Sequence, residues 1–190
     1  MLGTWWYTSI DGGAIYVSTH GAFGSQQNIT PNYSGSERVS FLTPFDLYRY
    51  GVLDAPDGAC TSTAGCMHII LGTQRVWEST QGGKPSSSWS AKTGDLTKNN
   101  LVLGGDNRSY INQIHYSVSD PTIAMAATND GNIQYIFGLG ASGAATPVDV
   151  TDGNVLLPDR PMQDVATDPL NPLVGYAAVG GSSANTPATS

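Results

Sequence analysis

The sequence contains few positive charges. Eight lysine and arginine residues stand against fifteen aspartates and glutamates among 190 residues, and the formal net charge is −7. Binding to nucleic acid depends on basic side chains that neutralise a run of phosphates. Attraction to an anionic membrane surface usually requires a basic amphipathic helix, which this sequence lacks. The charge balance therefore predicts a protein that binds neither nucleic acid nor anionic membranes.

Long hydrophobic runs are also missing. No stretch approaches the roughly 20 apolar residues that a membrane-spanning helix needs, so we expect no membrane insertion. We predict no signal peptide at the opening residues, Met1-Leu2-Gly3. An exported protein would therefore be represented here by a mature or excised segment.

Cysteine is scarce, with only Cys60 and Cys66, separated by Thr-Ser-Thr-Ala-Gly. This small, flexible linker lets the two sulfurs meet, which predicts a disulfide of about 2 kcal/mol and an extracellular or periplasmic location. The alternative is two free thiols in a reducing cytosol. A zinc site would need two further ligands and only His68 is near, so no metal is predicted. The phosphate-loop and dinucleotide glycine patterns are absent, and no cofactor is predicted.

Helical periodicity is nearly absent, because Gly or Pro interrupts almost every apolar window. Short alternating runs predict strands instead. Asp11-Gly12-Gly13 lies between two such runs, and Asp-Gly in that setting is a strong hairpin signal. Similar strand pairs are predicted at residues 67–73 and 75–79, 111–118, 123–128 and 132–137, and 162–167 and 174–179. The sequence predicts an all-β protein.

The sequence also repeats itself. Residues 15–21 return as 76–82, and each copy is an alternating strand that ends in Ser-Thr-x-Gly. Residues 114–128 align with 165–179, with Pro121 on Pro172 and Met125 on Tyr176. Spacings of about 50 to 60 residues suit the four-stranded antiparallel blade of a β-propeller. We therefore predict a propeller segment of three to four blades over residues 1–181, divided at approximately 1–37, 38–100, 101–160 and 161–181, with a flexible tail at 182–190.

Ser79-Thr80-Gln81-Gly82-Gly83, followed by Trp89, resembles the Asp-box (BNR) repeat, Ser-Thr-Asp-Gly-Gly-x-x-Trp, of sialidase-like and sortilin-like propellers. Ser18-Thr19-His20-Gly21 is a shorter copy. Segments 95–97 and 168–172 are similar to inter-strand segments of bacterial BNR glycosyl-hydrolase-like proteins. The aspartate of the box is His20 in one copy and Gln81 in the other. The resemblance implies that the box residues stabilise a turn far from any active site; they are Ser18, Gly21, Ser79, Gly82, Gly83 and Trp89.

Three units and the start of a fourth are fewer than the four to eight blades of an ordinary closed propeller. An open arc would expose two blade faces and unpaired strand edges, which favour aggregation. We therefore expect the ring to be completed by the remaining blades of a longer chain or by further copies of this one.

Catalytic residues are harder to assign. A glycosidase needs two carboxylates on either side of the sugar bond. Glu37 and Asp46 are weak candidates, whereas most other aspartates lie beside Gly or Pro, where aspartate serves in turns. His68 and His115 are expected to pack or cap rather than to act as bases.

Aromatic residues suggest binding instead. Trp5, Trp6 and Tyr110 could offer flat faces to sugar rings, although aromatic residues also fill the space between blades, as we expect of Trp77. Adjacent strand residues point to opposite faces, so one of Trp5 and Trp6 should be buried. The sequence favours a non-catalytic recognition surface for glycan or protein. The alternative is part of an exported BNR-type glycoside hydrolase, and a third hypothesis is a scaffold.

Overall fold

The computed structural model describes residues 5–49, 60 and 65–181. Within these ranges the protein is all-β, as predicted, and its two 3-10 turns, Asp11–Gly13 and Ser86–Ser88, are its only described helices. No helix in the described part is long and apolar enough to cross a membrane. The strands are β1 (Trp6–Ile10), β2 (Ala14–Ser18), β3 (Gln26–Asn28), β4 (Phe45–Leu47), β5 (Ile69–Gly72), β6 (Val76–Ser79), β7 (Trp89–Ala91), β8 (Val102–Leu103), β9 (Asp106–Asn107), β10 (Ile111–Tyr116), β11 (Ile123–Thr128), β12 (Ile133–Phe137), β13 (Thr146–Asp149), β14 (Met162–Thr167) and β15 (Gly175–Val179).

The strands form antiparallel sheets in which neighbours in sequence are neighbours in space. Sheet I has the order β1-β2-β3, sheet II β4-β5-β6-β7, sheet III β10-β11-β12-β13, and sheet IV β14-β15. A small hairpin, β8-β9, lies in the connection between sheets II and III. Short turns are enough for this arrangement, because antiparallel neighbours need no crossover.

Successive sheets pack face to face, and the alternation of side chains along each strand explains how. On β5, Ile69 and Leu71 join the apolar cluster shared with sheet I, whereas Ile70 joins the cluster shared with sheet III. On β11, Ala126 faces sheet II, and Met125 faces sheet IV. Sheets II and III are therefore covered on both faces, which accounts for the six consecutive buried residues of β11.

The two Ser-Thr-x-Gly copies form equivalent turns. The Ser79 hydroxyl accepts hydrogen bonds from the backbone N–H of Gln81 at 3.2 Å and of Gly83 at 2.9 Å, and the Ser18 hydroxyl accepts one from His20 N–H at 3.3 Å. These turns join β2 to β3 and β6 to β7. Strand β1 is therefore the counterpart of β5, the second strand of sheet II.

Left-handed glycines complete both turns. Gly21 and Gly82 have φ of +76° and +65°, and Gly83 has φ of +72°. An added Cβ on Gly83 would lie 3.0 Å from Ile29 and 3.2 Å from Trp89, so this position lacks space as well as requiring a left-handed backbone. The Trp89 indole donates to the Ile29 carbonyl at 2.6 Å and so joins sheet II to sheet I.

A buried ion pair lies between sheets II and III. Lys92 Nζ is 3.4 Å from Glu78 Oε2, and the two side chains are 2% and 1% exposed. Glu78 also accepts hydrogen bonds from Gly140 N–H at 2.9 Å and from the Tyr116 hydroxyl at 3.3 Å. Burial raises the pKa of Tyr116 well above its usual value, and the Glu78 charge adds to this effect. Because each charge is paired and hydrogen-bonded, the interface tolerates them.

We predict that Ser79→Ala destabilises the protein by about 1–2 kcal/mol, because the buried Gly83 N–H and the partly buried Gln81 N–H lose their acceptor. Thr80→Ala changes the exposed neighbouring residue and should alter stability by less than about 0.5 kcal/mol. Urea unfolding of both variants measures the difference. Equal stability of the two variants would show that the serine hydroxyl does not hold the turn.

We also predict that Lys92→Met, which leaves Glu78 as an uncompensated buried charge, lowers the free energy of unfolding by about 3–5 kcal/mol. The control is Lys98→Met. Lys98 is 19% exposed, pairs at 2.6 Å with Asp159 and also donates to Asn154 Oδ1. Because the Asp159 side chain is 57% exposed and stays solvated without its partner, the loss of Lys98 should cost about 1 kcal/mol, well below the cost of losing Lys92. Urea unfolding at neutral pH compares the two variants, and a similar loss in both would contradict this interpretation.

Candidate functional site

The first strands of sheets II, III and IV, which are β4, β10 and β14, lie side by side. β10 packs against β4 on one side and against β14 on the other. A cleft of about 540 Å³ opens near the beginning of these strands. We call it the amide cleft, after the side chains of Asn112, Gln113 and Gln163 in its lining; Phe41 and Leu42 also line it.

The amide cleft combines hydrogen-bonding groups with an exposed aromatic ring. Amide side chains donate and accept hydrogen bonds, as sugar hydroxyls do. Asn112 Nδ2 donates to the Met162 carbonyl at 2.9 Å, which fixes that side chain across two strands. Phe41 and Leu42 are exposed, and an aromatic face can pack on the apolar face of a sugar ring.

The loop that carries Phe41 is closed by an internal hydrogen bond and is tied to strand β5 at its end. The Thr43 hydroxyl donates to the Ser40 carbonyl at 3.1 Å, and Gly72 N–H donates to the Pro44 carbonyl at 2.9 Å. The loop position is therefore tied to the start of sheet II.

A histidine lies between two carboxylates farther along the same strands. His115 Nδ1 is 3.5 Å from Asp46 Oδ2, and its Nε2 is 3.3 Å from Asp164 Oδ1. These three residues, here the histidine cluster, belong to β10, β4 and β14. The hydrogen bond to Asp46 is the main reason why the pKa of His115 is raised; burial works in the opposite direction, and the charges of Asp46 and Asp164 add to the increase.

Asp46 also caps the backbone around it. Its Oδ2 accepts a hydrogen bond from Tyr116 N–H at 3.0 Å, and its Oδ1 accepts one from Leu47 N–H at 2.8 Å. Sequence reasoning selected Asp46 but did not connect it with His115, because the two are far apart in the chain and share no motif. The signal that could have linked Asp46 with His115 is that they occupy equivalent positions on the first strands of sheets II and III.

Glu37 lies elsewhere and is held by two hydrogen bonds and one ion pair. It is 3% exposed, accepts hydrogen bonds from the Trp77 indole at 2.9 Å and from the Thr73 hydroxyl, and lies 3.4 Å from Arg75 Nε. These contacts anchor the loop before sheet II to the β5–β6 turn. The structure does not bring Glu37 and Asp46 into one site. Trp77 packs against the cluster between sheets I and II, with Tyr33 edge-on to it.

The three aromatic residues predicted to bind ligand do not share one cleft. Trp5 and Trp6 line a cleft of about 490 Å³ between β1 and β4. Trp5 is half-buried with Lys84 Nζ 4.5 Å above its ring, and Trp6 is 51% exposed. Tyr110 lines a different cleft beside Glu37.

Cys60 and Cys66 form the predicted disulfide. Residues 61–64 between them, like most of the preceding insertion and the predicted tail at 182–190, lie outside the described part of the chain. The disulfide is compatible with an exported protein. Among the described residues, no group of three or more His, Cys, Asp or Glu side chains is arranged to hold a metal ion.

Comparison with protein-family models, with curated proteins and with solved structures gives no match for this chain. The class that the structure itself defines is an all-β protein of antiparallel sheets stacked in chain order.

We predict that Asp46→Asn lowers the pKa of His115 substantially, and that Asp164→Asn, which removes a more exposed partner, lowers it less. The raised pKa means that protonated His115 stabilises the fold below its unfolded pKa of about 6.5, and that this stabilisation is lost as pH rises through the folded pKa. NMR titration of the His115 ring measures the pKa. Urea unfolding between about pH 5 and pH 9 should show this loss in the wild type and less of it in Asp46→Asn. Identical titration curves for the three proteins would contradict the proposed contacts.

Proposed function

We propose that this chain is a segment of an exported β-propeller, and that its amide cleft recognises a carbohydrate without cleaving it. The propeller proposal is supported by the four-stranded meanders of sheets II and III, by their face-to-face packing in chain order, and by the adjacent first strands. The Asp-box resemblance and the matching turns at Ser18 and Ser79 point in the same direction.

The outer faces of the stack support the view that more sheets belong to the assembly. Met125 packs against sheet IV, whereas Tyr176, its counterpart on β15, is 58% exposed. At the other end, Ile69 packs against sheet I, whereas its counterpart Trp6 is 51% exposed. We propose that further blades of a longer chain, or further copies of this one, cover these faces.

The lining of the amide cleft carries the proposal of recognition without hydrolysis. None of the described lining residues is a carboxylate. The alternative, part of a BNR-type glycoside hydrolase, is supported by Asp46 and Asp164 on neighbouring first strands. However, a hydrolase holds its two carboxylates on either side of a sugar bond, and here the His115 ring fills the space between them.

A glycan array followed by titration of the best ligand tests the proposal. We predict that Phe41→Ala and Gln113→Ala each weaken binding about tenfold, since each removes a contact of roughly 1–1.5 kcal/mol. Phe23→Ala is the matched control, because Phe23 is fully exposed in the β2–β3 turn and does not line the cleft. Its affinity should equal that of the wild type.

Absence of glycan binding, or equal affinity in all variants, would contradict the proposal. A reducing-sugar assay on the same ligands distinguishes the alternative. Hydrolysis that is abolished by Asp46→Asn and by Asp164→Asn would favour the hydrolase.

A further inference from the structure

Counted over residues 5–49, 60 and 65–181, sheet I has one strand fewer than sheets II and III, and the repeat shows which position is open. β1 corresponds to β5, which pairs with the first strand β4, and to β11, which pairs with the first strand β10. The order of sheet I is β1-β2-β3. Within the described residues, no strand therefore occupies the first-strand position beside β1.

The packing of the first strands shows the same gap. β10 packs against both β4 and β5, and β14 packs against both β10 and β11. By the same pattern, β4 should pack against β1 and against a first strand of sheet I. Phe45 and Leu47 of β4 and Tyr7 of β1 pack against the same apolar cluster. They line one cleft of about 490 Å³ together with Trp5 and Trp6, and the disulfide-linked Cys60 and Cys66 also border this cleft.

In the described part of the chain one edge of β1 has no partner strand, and this edge carries none of the usual protection against pairing. Its sequence, Trp-Tyr-Thr-Ser-Ile, has no charge and no proline. β13, the outer edge of sheet III, contains both Pro147 and Asp149. Charged residues and proline are the means by which exposed edge strands avoid adding a further strand. The edge of β1 is therefore competent for strand addition.

We propose that an extended polypeptide segment adds to the edge of β1 as the first strand of sheet I. Its backbone N–H and C=O groups would pair with β1, and its side chains on one face would cover Phe45 and Leu47. The segment that fits has the alternation of β10, whose Ile114 and Tyr116 face the preceding sheet while His115 reaches the next. The partner is therefore a strand-forming peptide with alternating apolar and polar residues.

A synthetic peptide of residues 111–118 is the probe, because this sequence fills the equivalent position in sheet III. Hydrogen exchange of the intact chain measures the outcome. We expect the peptide to slow exchange of amides in β1 and to leave those of β13 unchanged. A scrambled peptide of the same composition is the control and should bind at least about tenfold more weakly.

Two N-methylated peptides test whether the contact is a strand pairing. Only alternate N–H groups of an added strand point at its neighbour, so methylation of one alternating set should abolish binding and methylation of the other should not. Equal binding by the scrambled peptide, or equal effects of the two methylation patterns, would overturn the proposal. Slower hydrogen exchange of the β15 amides instead of the β1 amides would also overturn the proposal, since β15 is an edge strand too.

The β1 amides could also become protected from exchange as the protein concentration rises, without any peptide. That result would overturn the proposal that a separate segment supplies the strand, because a second copy of the chain would then supply it. Ser9 of β1 also lines the amide cleft, so the strand site and the glycan site adjoin. The two experiments are still distinguishable, because the peptide is followed by hydrogen exchange of the β1 amides, whereas the glycan variants change Phe41 in the connection before β4 and Gln113 in β10.

Discussion

The stability of this fold depends on burying both faces of the same sheet. Alternate residues of β5 enter different apolar clusters, Ile70 on one side and Leu71 on the other. A sheet covered on both faces cannot present a binding surface on either face. On sheets II and III, ligand contacts are therefore restricted to strand edges and to the connections between sheets, where the amide cleft and the cleft beside β1 are found.

Carboxylates in this chain hold elements together across sequence distance. Glu78 joins Lys92, Tyr116 and the Gly140 backbone between two sheets, and Glu37 joins its loop to a turn. In both cases donors from separate elements converge on one acidic side chain. A buried charge is stable only if its hydrogen-bonding capacity is satisfied, which makes these contacts selective for one arrangement of the sheets. Because Glu78 and Glu37 are already engaged in these contacts, they are not available to bind or act on a substrate.

Local features were readily predicted from the sequence, whereas contacts between sheets were not. The Asp-Gly turn after β1, the alternation of β2 and β6, and the short Cys60–Cys66 loop depend on neighbouring residues, so their chemistry is visible in sequence. The histidine cluster depends on three first strands that become neighbours only after the sheets stack. The Lys92–Glu78 pair was missed for a different reason, because charged residues near turns are usually solvated and its burial follows from tertiary packing.

The position of the first strands explains why the candidate site and the incomplete sheet occur together. A first strand has a sheet neighbour on one edge only, so its other edge is available to side chains, as Asp46 shows by accepting from the Tyr116 N–H of β10. As far as the chain is described, the same geometry leaves the edge of β1 open near Phe45 and Leu47. A strand added there would extend the row formed by β4, β10 and β14. In this arrangement the faces of sheets II and III are buried, and the edges of the first strands stay available for contacts. The proposed ligand recognition and the proposed completion of sheet I both follow from it.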